Sequence, residues 1–217
     1  MRLKFDEQLR LLNKEMITMS NMIEKAIQEA IDALFSQDVK KARQIMDDDE
    51  YIDQEKKKIE NMCFNLLIQQ QPVARDLRVI TAAMKMVTDM ERIGDQAADI
   101  SELTIMMADS PYAIKEDNIK KMAAETMIML IHAVEAYVEH DVDKAREVID
   151  HDDIVDEFFV KVKTELMEVM QKNAGNEEQA ADLLMVNKYL ERIGDHASNI
   201  ASWVIFSIDD KGLLKEA

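Results

Sequence analysis

Glu91-Arg92-Ile93-Gly94-Asp95 returns unchanged as Glu191-Arg192-Ile193-Gly194-Asp195, a displacement of 100 residues. A second string repeats at nearly the same interval. Gln37-Asp38-Val39-Lys40-Lys41-Ala42-Arg43 comes back as His140-Asp141-Val142-Asp143-Lys144-Ala145-Arg146, displaced by 103. Two strings recurring in the same order at almost constant spacing mark a duplicated unit. Around them the apolar residues keep helical spacing. Leu9, Leu12, Met16, Met19, Ile23, Ile27, Ala30, Ile31 and Leu34 trace one face of a first helix, and Ile45, Ile52, Ile59 and Leu66 follow at seven-residue steps in a second.

Working outward, the pattern predicts six helices. The first spans about Phe5 to Phe35, and Ser36-Gln37-Asp38 forms a turn in which Asp38 caps the next helix. Asp47-Asp48-Asp49 is expected to interrupt that second helix near its start. Pro72 is placed in the first turn of a third helix that reaches about Ala108, where Asp109-Ser110-Pro111 ends it. Asn118 to His140, Val142 to Gln171 and Glu177 to Ser207 complete the set, with Asn173-Ala174-Gly175-Asn176 as the last turn. The expected fold is all-α, two repeated three-helix bundles over residues 1–110 and 111–217.

Composition agrees. Of 217 residues only 4 are Gly and 2 are Pro, too few for a turn-rich fold, while 47 % apolar content supplies a core. Most of the 17 methionines fall on the apolar stripes, where the flexible thioether fills irregular gaps. The formal net charge of -17 disfavours nucleic acid, whose binding requires positive charge, and favours basic protein surfaces or multivalent cations. The single Cys63, among apolar neighbours, reads as a buried thiol. Residues 1–20 lack the apolar core of a secretory signal, and no apolar run is long enough to span a bilayer. A cytoplasmic protein without direct membrane insertion is expected.

The chemistry lies in carboxylates four residues apart. Asp49 and Asp53 form one pair, repeated as Asp152 and Asp156; Glu91, Asp95 and Asp99 form a ladder, repeated as Glu191, Asp195 and Asn199. Four-residue spacing puts each set on one helical face, where like charges disfavour the helix by about 0.2–0.5 kcal/mol per pair. Two readings offset that cost. The acids form a solvated face neutralised by Arg92, Arg192 or Lys188, or they converge on cations as hard oxygen ligands. Gly94 and Gly194, inside helices where glycine costs about 1 kcal/mol, point to a close helix crossing beside the acids. His196 follows Asp195 and is a further ligand or a hydrogen-bonding neighbour; its counterpart is Gln96. No serine elbow, Cys/His pair or phosphate-binding loop is present, so catalysis is not expected. A metal storage or buffering bundle and a carboxylate-dependent metalloenzyme are the alternatives to a regulator.

The chain resembles the PhoU family of phosphate-transport regulators from Phe5-Asp6-Glu7 through Ile200. The landmarks are Gln70-Gln71-Pro72-x-x-x-Asp76-Leu77-Arg78, Glu91-Arg92-Ile93-Gly94-Asp95 and Leu190-Glu191-Arg192-Ile193-Gly194-Asp195-His196-Ala197-x-Asn199-Ile200. The resemblance implies approximate internal twofold symmetry between the two bundles. It also implies metal sites at Asp49/Asp53 with Glu91/Asp95 and at Asp152/Asp156 with Glu191/Asp195, Asp99 and Asn199 being extensions. Iron, manganese, magnesium or zinc is expected; iron and zinc enter through the resemblance, zinc less comfortably without cysteine or histidine ligands. Lys4 stands before Phe5 where the family often has histidine, which weakens the case for an N-terminal ligand and leaves the eight core acids intact. The implied role is negative regulation of phosphate uptake and of the starvation response, coupling a phosphate ABC transporter to a sensor histidine kinase. Its implied partners are the transporter ATPase, the kinase's cytoplasmic region and a second copy in a homodimer, with attachment to the inner membrane face through partners.

Overall fold

The apolar stripes fold as long helices because almost nothing in them breaks a helix. The computed structural model describes residues 2–69, 73–108, 117–172 and 177–208. Six helices occupy them: α1 (Arg2–Ser36), α2 (Val39–Gln69), α3 (Ala74–Met106), α4 (Asp117–Glu139), α5 (Val142–Lys172) and α6 (Glu177–Ile208). Each lies within a few residues of its expected span. Pro72, Asp109-Ser110-Pro111 and Asn173-Ala174-Gly175-Asn176 lie outside the described residues, as does the expected division after residue 110.

One expectation fails. Asp47-Asp48-Asp49 does not interrupt α2, which is continuous. Buried Ile45 and Ile52 anchor the helix on either side of the run, and Gln44 donates to Asp48 Oδ1 at 2.8 Å, within the helix surface. Burying each such side chain is worth about 1.5–3 kcal/mol, which exceeds the weak propensity penalty of three aspartates.

The repeated capping strings build the same corner twice. Gln37 and His140 adopt positive φ, 53° and 56°, and end their helices in the left-handed conformation. In each corner the next residue's N–H reaches back five positions, Asp38 to Ala33 O at 3.0 Å and Asp141 to Ala136 O at 2.9 Å, closing the first helix. The same aspartates start the second helix: Asp38 Oδ1 accepts from the Lys41 N–H, and Asp141 Oδ1 from those of Asp143 and Lys144, each at 3.0 Å.

Within each half every helix packs on the other two, and the halves join through α1 against α4 and α3 against α6. Exchanging the halves turns each joining pair into itself, the pattern of an approximate twofold axis. A single hydrophobic cluster runs through both halves, from Phe5 to Val204. Cys63 lies inside it, and burial pushes its thiol up to about 12. Met16, Met19, Met86, Met90, Met122 and Met129 are core residues. Among the described residues no helix is long and apolar enough to cross a membrane.

Candidate functional site

The two glycines set the site. A Cβ on Gly94 would lie 3.1 Å from two side-chain carbons of Ile52 and 3.4 Å from Asp49 Oδ1. One on Gly194 would lie 2.9 Å from Asp152 Oδ1 and 3.3 Å from Val155 Cγ1. Hydrogen at these positions lets α2 approach α3, and α5 approach α6, closely enough for an aspartate of one helix to rest on the other's backbone. The sequence-based expectation of close crossings beside the acids holds in both halves.

Around each glycine the carboxylates act on one another. Burial raises Asp49 to about 6, reinforced by the charges of Asp95, Asp53, Glu91 and Asp99 in that order. Burial likewise raises Asp152 to about 6, with Asp195, Asp156, Glu191 and Asp153 adding repulsion. Asp95 is raised by burial and by Glu91, against the pull of Arg92; Asp99 is raised by burial and Glu102, against Arg192 of the other half. The acids of α2 and α3 thus form one electrostatic group, and those of α5 and α6 a second. Asn199 is exposed and carries no charge, so the second group ends one carboxylate short.

Cationic side chains hold part of each group. Lys56 Nζ donates to Glu91 Oε1 at 3.1 Å, and Arg92 Nη1 donates to Asp95 Oδ2 at 3.1 Å. In the second half Lys188 Nζ donates to Glu191 Oε2. Glu91 Oε2 is buried and accepts no hydrogen bond, with Arg92 Nε 3.6 Å away. Among the described residues no three His, Cys, Asp or Glu side chains converge on a point where one ion would sit. The donor chemistry nonetheless fits a hard cation: each group is all-oxygen and self-repelling, the first has an orphaned buried oxygen, and both glycines leave room for a carboxylate.

The histidines are engaged elsewhere. His196 Nδ1 lies 2.9 Å from Asp89 Oδ1, a hydrogen bond from α6 to α3 that ties the halves together beside both acid groups. His151 Nε2 lies 2.7 Å from Glu125 Oε2. His132 and His140 are exposed. Lys56 and Asp89 escaped the sequence reading because their partners lie on other helices, and only the register of helix packing brings them together.

A family model described as PhoU domain matches the chain twice, over residues 16–104 and 119–204. The phosphate-specific transport system accessory protein PhoU homolog of Clostridium acetobutylicum is 37 % identical over 208 residues, covering 95 % of each chain. The homolog of Pseudomonas aeruginosa is 30 % identical over 208 residues, covering 94 % of this chain and 85 % of that one. The crystal structure of PhoU from Pseudomonas aeruginosa superposes with a TM-score of 0.88 at 29 % identity, over 94 % of this chain and 98 % of that one. The phosphate transport system regulatory protein PhoU from Streptococcus pneumoniae shares the fold, with a TM-score of 0.86 at 24 % identity over 95 % and 99 % of the two chains.

Proposed function

This chain belongs to the PhoU family, and from that premise we propose that it restrains phosphate uptake and the phosphate-starvation response by binding other proteins. Family membership makes it a regulator and not a catalyst. The proposed partners are a phosphate ABC transporter's ATPase and a sensor histidine kinase's cytoplasmic region. The proposed setting is the cytoplasm, at the inner membrane face when bound to them. A homodimer is the proposed assembly.

The observation that carries the mechanistic part is the recurrence of the acid group in both halves, each packed around its own glycine. Asp49, Asp53, Glu91, Asp95 and Asp99 would hold cations in the first half; Asp152, Asp156, Glu191 and Asp195, with the Asn199 carbonyl, would do so in the second. A bound di- or trivalent cation supplies the positive charge that offsets repulsion among these carboxylates. The chain's own residues then hold α2 to α3 and α5 to α6 more firmly, stiffening the surface a partner reads.

Two measurements test the proposal. Pull-down with the ATPase and the kinase region, at high and low phosphate and with metal supplied, is expected to recover complexes; reproducible failure with both partners refutes the regulatory role. Elemental analysis and thermal melts with and without Mg²⁺, Mn²⁺, Fe²⁺ or Zn²⁺ address the acids. Metal should stabilise the wild type more than either the Glu91→Gln/Asp95→Asn or the Glu191→Gln/Asp195→Asn variant, each of which keeps the acids of one half. Equal shifts in all three proteins would reduce the acids to a charged surface.

A further inference from the structure

Each acid group carries a lysine on the glutamate of its repeated Glu-Arg-Ile-Gly-Asp string, yet the two lysines are not equivalents. In the first half Lys56 reaches across from α2 to Glu91 at 3.1 Å. Its counterpart in α5 is Phe159, which has no charge to offer. In the second half the cation comes from α6 itself: Lys188 pairs with Glu191, one turn along the helix. The residue equivalent to Lys188 is Thr88, whose hydroxyl bonds back to Met84 O at 3.2 Å. The ring of Phe159, standing where the first half has its lysine, lies 5.8 Å from Lys188 Nζ and supports the new ammonium. One ammonium therefore rests on the same glutamate in both halves, supplied from different helices. Duplication alone would have copied the position and not just the pairing.

We propose that Lys56 and Lys188 are built-in counter-cations of the two carboxylate groups, which a metal ion must displace, so that they set how tightly each group binds metal. The inference rests on the metal reading above. An ammonium placed on a carboxylate oxygen neutralises one charge, and a divalent cation brought to the same carboxylate meets direct repulsion from it. The Lys56–Glu91 pair is sheltered, its side chains 21 % and 15 % exposed, so solvent screens it incompletely. Lys56 engages Glu91 Oε1 alone; Oε2 is buried without a hydrogen bond, its nearest cation being Arg92 Nε at 3.6 Å, so the lysine supplies the one hydrogen bond this carboxylate accepts among the described residues. Lys188 is the more exposed lysine, at 46 %, and yields more readily.

The test is isothermal titration of Mn²⁺ into the chelator-stripped full chain, for wild type, Lys56→Gln, Lys188→Gln and the double variant. Glutamine keeps most of the stem and removes the charge. Each single variant should bind Mn²⁺ roughly three- to tenfold tighter at one half's sites, Lys56→Gln giving the larger change, and the double variant should do so at both. Lys56→Arg and Lys188→Arg, which keep the charge, should stay near wild-type affinity. Binding by the double variant alone would also support the inference. If wild type binds Mn²⁺ and the glutamine variants bind it equally or more weakly, the lysines are ordinary ion pairs; this inference falls and the metal reading stands. If neither wild type nor the double variant binds Mn²⁺, both fall.

Discussion

Alanine at the two repeated glycines should have different consequences, although the strings around them are identical. Inside a helix, Gly→Ala gains about 1 kcal/mol from backbone entropy and helix propensity. At position 94 the new methyl meets both branches of Ile52 at 3.1 Å, and the buried, β-branched Ile52, only 4 % exposed and stiff at χ1, must shift as a whole to relieve both contacts. Overpacking of this kind costs about 1–3 kcal/mol, so Gly94→Ala should lose about 1 kcal/mol net. At position 194 the closest atom, at 2.9 Å, is Asp152 Oδ1, the end of a side chain that can swing outward. Val155 must yield only a few tenths of an ångström, so Gly194→Ala should be about neutral or up to about 1 kcal/mol more stable. For a chain of this length each kcal/mol moves the melting temperature by roughly 2–4 °C. Thermal melts of the two metal-free variants should therefore separate by several degrees, with Gly94→Ala the lower. If Gly94→Ala gains the full helix increment, or the order reverses, the close crossing does not explain the glycines.

The raised aspartates make the metal-free protein more stable in mild acid than at neutral pH. Asp49 and Asp152 titrate near 6 in the fold and near 3.8 when unfolded, so the folded state binds protons more tightly. Their contribution to stability is fully present below about 4 and is lost as pH rises through about 6. Denaturant midpoints should thus increase from pH 7 to pH 5, by about 1 kcal/mol per half once solvent screening of these half-exposed groups is allowed for; a flat or falling midpoint would contradict the shared-charge geometry. Cys63 should resist a thiol-specific reagent in the native state, since it is fully buried with its thiol raised to about 12. Modification should follow global unfolding across a denaturant series, and rapid reaction without denaturant would show that α2 opens locally.

The helices were legible because their signals are local. Asp38 and Asp141 announce helix starts, and the seven-residue series from Ile45 to Leu66 announces a buried seam; each becomes a hydrogen-bonded cap or a core position. The left-handed residues were harder, since Gln37 and His140 occupy positions where glycine is the usual signal. The Asp47-Asp48-Asp49 run misled because a propensity judgement ignores the anchoring isoleucines on both sides. The acid groups were legible through repetition, but their counter-cations were not. Comparing the halves position by position pairs Lys56 with Phe159 and Thr88 with Lys188, which reads as two unrelated losses. Packing shows one lysine charge resting on the same glutamate in each half, supplied from α2 in the first and α6 in the second. Self-comparison of a repeat detects inherited positions; it misses an interaction kept by changing its supplier.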